Sequence, residues 1–126
     1  MDFEGLLSAA RDVRSRAFAP YSSFKVGAAV MGASGRIYVG CNVENATYGA
    51  TICAERAAIC SMVASGESRL LAVAVYTEAE PAATPCGICR QVIAEFAEDA
   101  PIVVANASGQ TVYSIARLLP ERFALK

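Results

Sequence analysis

Apolar residues at Phe3, Leu6, Leu7, Ala10, Val13 and Ala17 recur at helical spacing. They predict a helix over Phe3 to Phe18, limited by Pro20. Lys25 to Met31 and Ile37 to Cys41 then read as strands around the turn "GASGR", which makes a hairpin. Ile52 to Ser65 is apolar on much of its circumference, with Gly66 just beyond, and predicts a buried helix. Leu70 to Tyr76 is a near-continuous apolar run suited to a central strand. Cys86 to Glu98 returns to helical spacing, with Thr84 as a natural N-cap and Pro85 suited to the first helical position. Pro101 to Ala105 is another apolar strand, "ASGQ" a turn, and Thr111 to Tyr113 a short strand. A last helix starts near Ser114 and stops before Pro120. The order α-β-β-α-β-α-β-β-α implies a mixed five-stranded sheet covered on both faces, a three-layer α/β/α sandwich. With 126 residues, no internal repeat and no linker, residues 1–126 read as one domain.

Composition narrows the function. The apolar fraction is 55%, above the usual range of about 45–50%, and hints at apolar surface covered by partner subunits. A net charge of −1 argues against binding a polynucleotide. No apolar run is long enough to span a membrane, and the charged, amphipathic start "MDFEGLLSAARDVRSR" lacks the apolar stretch of an export signal. Five cysteines without such a signal are expected to be reduced, in the cytoplasm. The absence of histidine is the most restrictive feature. It removes the commonest general base and the commonest metal ligand together. Acid–base chemistry must then come from a carboxylate, lysine, tyrosine or cysteine, and a transition-metal site must be built mainly from cysteine.

Candidate chemistry starts at "TPCGICRQ". Cys86 and Cys89 lie three apart at a helix start and share a face, which suits one tetrahedral ion. A redox dithiol is the alternative, but that motif follows a first βα unit, whereas this pair follows three strands. Cys53 and Cys60 are seven apart on one helix, about 10.5 Å along its axis, too far for both to reach one ion. Cys60, deep in its helix, reads as a small buried hydrophobe. Cys53, at a helix start like Cys86, has free N–H groups and a positive dipole end to stabilise a thiolate. Three thiolates with an open fourth position make a catalytic zinc site; a fourth protein ligand, for which Cys41 is the candidate, would make a structural one. Glu55, two residues after Cys53, is either a first-turn glutamate complementing the helix dipole or the base that a zinc-activated water needs. Arg56 is either a surface arginine or a donor to the sulfurs that offsets their charge.

The pattern C-A-E at Cys53 to Glu55 with P-C-G-I-C at Pro85 to Cys89 is a three-cysteine version of the zinc nucleobase deaminase signature. "PYSSFKVGAAV", "NVENATYG", "TICAER", "TPCGICRQV" and "LLPERF" occur in order across nearly the whole chain. Together they resemble the small cytidine deaminases, in the short-chain homotetrameric branch. That resemblance implies one Zn²⁺ per subunit on Cys53, Cys86 and Cys89, with Glu55 as proton shuttle and Arg56 beside the sulfurs. It implies hydrolytic deamination of cytidine and 2′-deoxycytidine, with Asn42 and Glu44 on the ribose hydroxyls, Phe24 on the pyrimidine and Ala54 in the pocket. Ala46, Tyr48 and Phe123 match positions that neighbouring subunits contribute. Asn42 and Glu44 alternate in an extended segment, so both side chains point one way. Three rivals remain at this point: a related deaminase acting on blasticidin S, a non-catalytic zinc module using Cys41, and polynucleotide editing.

Overall fold

The computed structural model describes residues 2–125. Its elements are α1 (Glu4–Arg14), β1 (Gly27–Gly32), β2 (Ile37–Cys41), a 3₁₀ turn (Tyr48–Ala50), α2 (Ala54–Ala64), β3 (Leu70–Tyr76), α3 (Gly87–Phe96), β4 (Pro101–Asn106), β5 (Gly109–Ser114) and α4 (Ile115–Leu118). The five strands form one sheet in the order β2-β1-β3-β4-β5. β3 and β4, joined through α3, are parallel, and the other neighbours are antiparallel. The expected mixed sheet is therefore present, with helices on both faces.

The two faces differ in side-chain size because neighbouring strand residues point opposite ways. Ala29, Ala72, Ala74 and Val103 meet Leu6 and Ala10 of α1. Val30, Val73, Val75, Ile102 and Val104 meet Ala58, Ile59 and Met62 of α2 and Ile93 of α3. Small residues let α1 lie close to its face; branched ones fill the wider space under α2 and α3. Gly40 lets α2 approach β2: a Cβ there would lie 2.4 Å from Ala58 N and 2.5 Å from Ala54 O. These are backbone atoms that cannot swing aside. Gly40→Ala is expected to cost about 3 kcal/mol and to lower the calorimetric melting temperature by roughly 10 °C. A shift under 2 °C would show that α2 can retreat.

Several ends differ from the pattern. The first helix stops at Arg14 rather than Phe18, because Phe18 N donates to Asn42 O and Glu44 N donates to Phe18 O. Cys53 and Cys86 are N-caps in extended conformation, just before α2 and α3, rather than first-turn residues. Thr84 and Pro85 accordingly lie outside α3; Arg90 reaches back to both, at 3.1 Å to Thr84 Oγ1 and 2.8 Å to Pro85 O. Cys60 is exposed, not buried, since α2 is covered on one face only. β5 is longer than expected, held along β4 from Pro101↔Ser114 to Asn106↔Gly109. Gly66, at φ 99°, does end the second helix as anticipated. Among the described residues no helix is long and apolar enough to cross a membrane.

Candidate active site

The Sγ atoms of Cys53, Cys86 and Cys89 all lie within 4.8 Å of one another, and Cys53 Sγ and Cys86 Sγ are 3.9 Å apart. Two Zn–S bonds of about 2.3 Å at a tetrahedral angle put their sulfurs about 3.8 Å apart, so the spacing fits a zinc ion. Neither N-cap cysteine uses its side chain to cap its helix, which leaves both sulfurs free. Cys89, in the first turn of α3, is fully buried. Cys41 and Glu55 are outside the group. The protein thus presents three sulfur ligands and no fourth among the described residues, the donor set of an open site.

The surroundings of this cluster act in opposite senses on two of its sulfurs. The Cys53 thiol is lowered to about 5, chiefly by a hydrogen bond from Cys89, with help from Arg56 and Cys86 against the cost of burial. Cys89 is pushed up by that same bond, by burial and by the negative charge of Glu55. A divalent cation binding these sulfurs would displace their thiol protons. Arg56 Nη2 donates to Cys53 Sγ at 3.5 Å and to Thr51 O at 3.1 Å. Glu55 is 5% exposed. Burial raises its carboxyl to about 7, with a smaller upward push from Cys53. A buried carboxyl of this kind can both take and return a proton.

A short rib of backbone ties the metal helix to the rest of the site. Val43 exchanges two 2.9 Å hydrogen bonds with Ile52, the residue before Cys53, and Phe18 pairs with its other side. Asn42 and Glu44 flank Val43, and both side chains turn to the Tyr21–Val26 loop, as their alternation requires. Asn42 is buried; its Oδ1 accepts from Val26 N and its Nδ2 donates to Phe24 O, each at 2.8 Å. Glu44 accepts from Tyr21 N at 2.9 Å, from Ser22 N at 3.1 Å and from the Ser22 hydroxyl. These bonds hold its carboxyl below the usual range, the Ser22 hydroxyl most of all. A cleft of about 340 Å³ opens here, lined by Tyr21, Ser22, Glu44, Asn45, Tyr48 and Thr51.

The remaining expected residues divide by exposure. Ala54 is buried between Cys53 and Glu55 in the chain. Phe24 is exposed at the loop, and Ala46, Tyr48 and Phe123 lie on the surface, the last two 78% and 70% exposed. Gln91, which has no role in the sequence reading, donates from Nε2 to Phe123 O at 3.1 Å. Arg122 donates to Ala94 O, Ala97 O and Glu98 O at the end of α3, and Arg90 Nη1 donates to Leu118 O. These residues fasten the C-terminal segment to the helix that carries Cys89.

Residues 2–105 match the family described as the cytidine and deoxycytidylate deaminase zinc-binding region. The chain belongs to that family. This deaminase-family chain is 43% identical to a cytidine deaminase of Sporosarcina psychrophila, with 98% of this chain and 93% of the other covered. Its fold superposes on a crystal structure of cytidine deaminase from Burkholderia pseudomallei with a TM-score of 0.93 and 43% identity, covering 98% of this chain and all of that one. The cytidine deaminase of Mycobacterium tuberculosis gives a TM-score of 0.86 at 38% identity, over 99% of each chain. Zinc is the metal of this family, and the three-cysteine cluster is the place for it.

Proposed function

We propose that this chain is a zinc-dependent enzyme that hydrolyses cytidine and 2′-deoxycytidine to uridine and 2′-deoxyuridine, releasing ammonia. The observation that carries the reading is a three-sulfur cluster with Glu55 buried beside it and not among its ligands. Cys53, Cys86 and Cys89 would hold the zinc, which would supply the Lewis acidity that makes a water acidic near neutral pH. Glu55 takes a proton from that water and passes it to ring N3, which makes C4 electrophilic. The water oxygen bonds to C4, and Glu55 carries that oxygen's remaining proton to the amine as the C4–N bond breaks, so one carboxylate serves as base and acid in turn. Arg56 draws charge from Cys53 and keeps three thiolates from quenching the metal's acidity. Phe24 lies on the pyrimidine and Ala54 borders it, while Asn42 and Glu44 receive the ribose.

The same reading makes the protein a homotetramer with shared sites. Phe18, Tyr21, Tyr48, Val63, Ile88 and Phe123 are exposed apolar side chains, and burial between subunits would account for them. Ala46, Tyr48 and Phe123 then act in a neighbour's pocket. Five cysteines without a disulfide suit a reducing compartment such as the cytoplasm, and the products are those of pyrimidine salvage. Zinc content together with the ultraviolet change on mixing with cytidine tests the reading. Zinc-loaded protein is expected to convert cytidine and to prefer it over blasticidin S; folded, zinc-loaded protein that leaves cytidine untouched would sink it.

A further inference from the structure

Ser22 has no part in the reaction as described, yet its hydroxyl is wired to the group that meets the ribose. Ser22 Oγ donates to Glu44 Oε2 and accepts from Phe24 N at 3.0 Å. A hydroxyl has one proton, and the carboxylate has none, so the direction is fixed. The amide of Phe24 takes a hydroxyl lone pair and sets which way the proton points. Glu44 Oε1 is meanwhile occupied by two amides, Tyr21 N and Ser22 N. A carboxylate offers about four acceptor positions. Three are filled from the loop, so one remains, on the oxygen that Ser22 orients.

The loop is built around this contact. Ser23 adopts φ 59°, in the left-handed region that a non-glycine residue enters only when its surroundings require it. Phe24 does not depend on Ser22 for its place, because Asn42 holds Phe24 O and Val26 N from the other side. Losing the Ser22 hydroxyl therefore releases Oε2 of Glu44 while the two amides keep Oε1, and Asn42 still holds Phe24 O and Val26 N.

We propose that Ser22 is a positioning residue through which Glu44 reads a single ribose hydroxyl of the nucleoside. This rests on the assignment of Glu44 to the ribose made above. The experiment compares zinc-loaded wild type, Ser22→Ala and Ser22→Thr. It measures cytidine turnover, melting temperature, and the inhibition constants of uridine and of 2′,3′-dideoxyuridine. In Ser22→Ala, KM for cytidine and the uridine constant are each expected to rise about tenfold, with kcat within twofold. The dideoxyuridine constant moves less than threefold, and Ser22→Thr, which keeps the hydroxyl, restores the uridine value. A merely structural loop serine would weaken both inhibitors equally, and that result, or an unchanged uridine constant, overturns the proposal. Wild-type protein that fails to turn over cytidine would overturn the deaminase reading itself, which separates the two failures.

Discussion

Glu55→Gln is expected to keep its zinc and to lose turnover by on the order of 10⁴-fold. Glutamine copies the shape of the carboxylate but cannot take up a proton and release it. Each general acid–base step contributes roughly 10²–10⁴-fold, and Glu55 is assigned two such steps with no histidine in the chain to substitute. Because Glu55 lies outside the group of sulfur ligands, zinc content stays at one per chain. A glutamine variant retaining more than a tenth of the activity would remove Glu55 from this role. The substitution also has a signature in the metal-free protein. Burial raises Glu55 from an ordinary 4.5 to about 7, so the folded state binds that proton more tightly than the unfolded state does. The associated stability is fully present below pH 4.5 and is lost as pH rises through 7, about 3 kcal/mol in all. Cys53, lowered to about 5, titrates in the opposite sense but is present in both proteins. The difference between wild type and Glu55→Gln in urea titrations at pH 4.5 and pH 8 thus reads the carboxyl together with its coupling to Cys53 and Cys89.

What could be read in the chain, and what could not, separates local from non-local causes. The strands Ile37–Cys41 and Leu70–Tyr76 match their apolar runs to the residue, because burial on a sheet face leaves its mark on every position. The grouping of Cys53, Cys86 and Cys89 is legible for a similar reason: with no histidine, a metal site has few residues to draw on. The start of α3 was misread since Thr84-Pro85 carries a good cap and first-turn signal. There Cys86 is extended and takes the N-cap position, and Arg90 binds Thr84 and Pro85 instead. The α1 end was misread because Phe18 pairs with residues 42 and 44, contacts between segments over 20 residues apart. Gln91 and Ser22 were silent for the same cause: their partners, Phe123 O and Glu44, are 32 and 22 positions away. Cys60 reads as buried when apolar residues are counted around α2, but it is exposed because a single chain covers only one side of that helix.

Cys89→Ser is expected to drop the zinc content below about a tenth of an equivalent, while Cys41→Ser keeps a full one. Serine is nearly the size of cysteine, but its hydroxyl does not ionise near neutral pH and is a poor partner for zinc beside two thiolates. Cys89 is fully buried, so the oxygen has no water to fall back on. The metal binds the folded state alone, and at a thousandfold excess over its dissociation constant it adds about 4 kcal/mol to stability. Its loss should lower the melting temperature by roughly 10 °C or more, and chelation of wild-type protein should reproduce most of that shift. Cys41 lies outside the cluster, so its substitution leaves both readouts in place. A structural four-sulfur module requires the reverse for Cys41: loss of zinc and a matching fall in melting temperature. Zinc analysis of the two serine variants therefore decides between an open site, where a position is left for water, and a closed one, where no hydrolysis is possible.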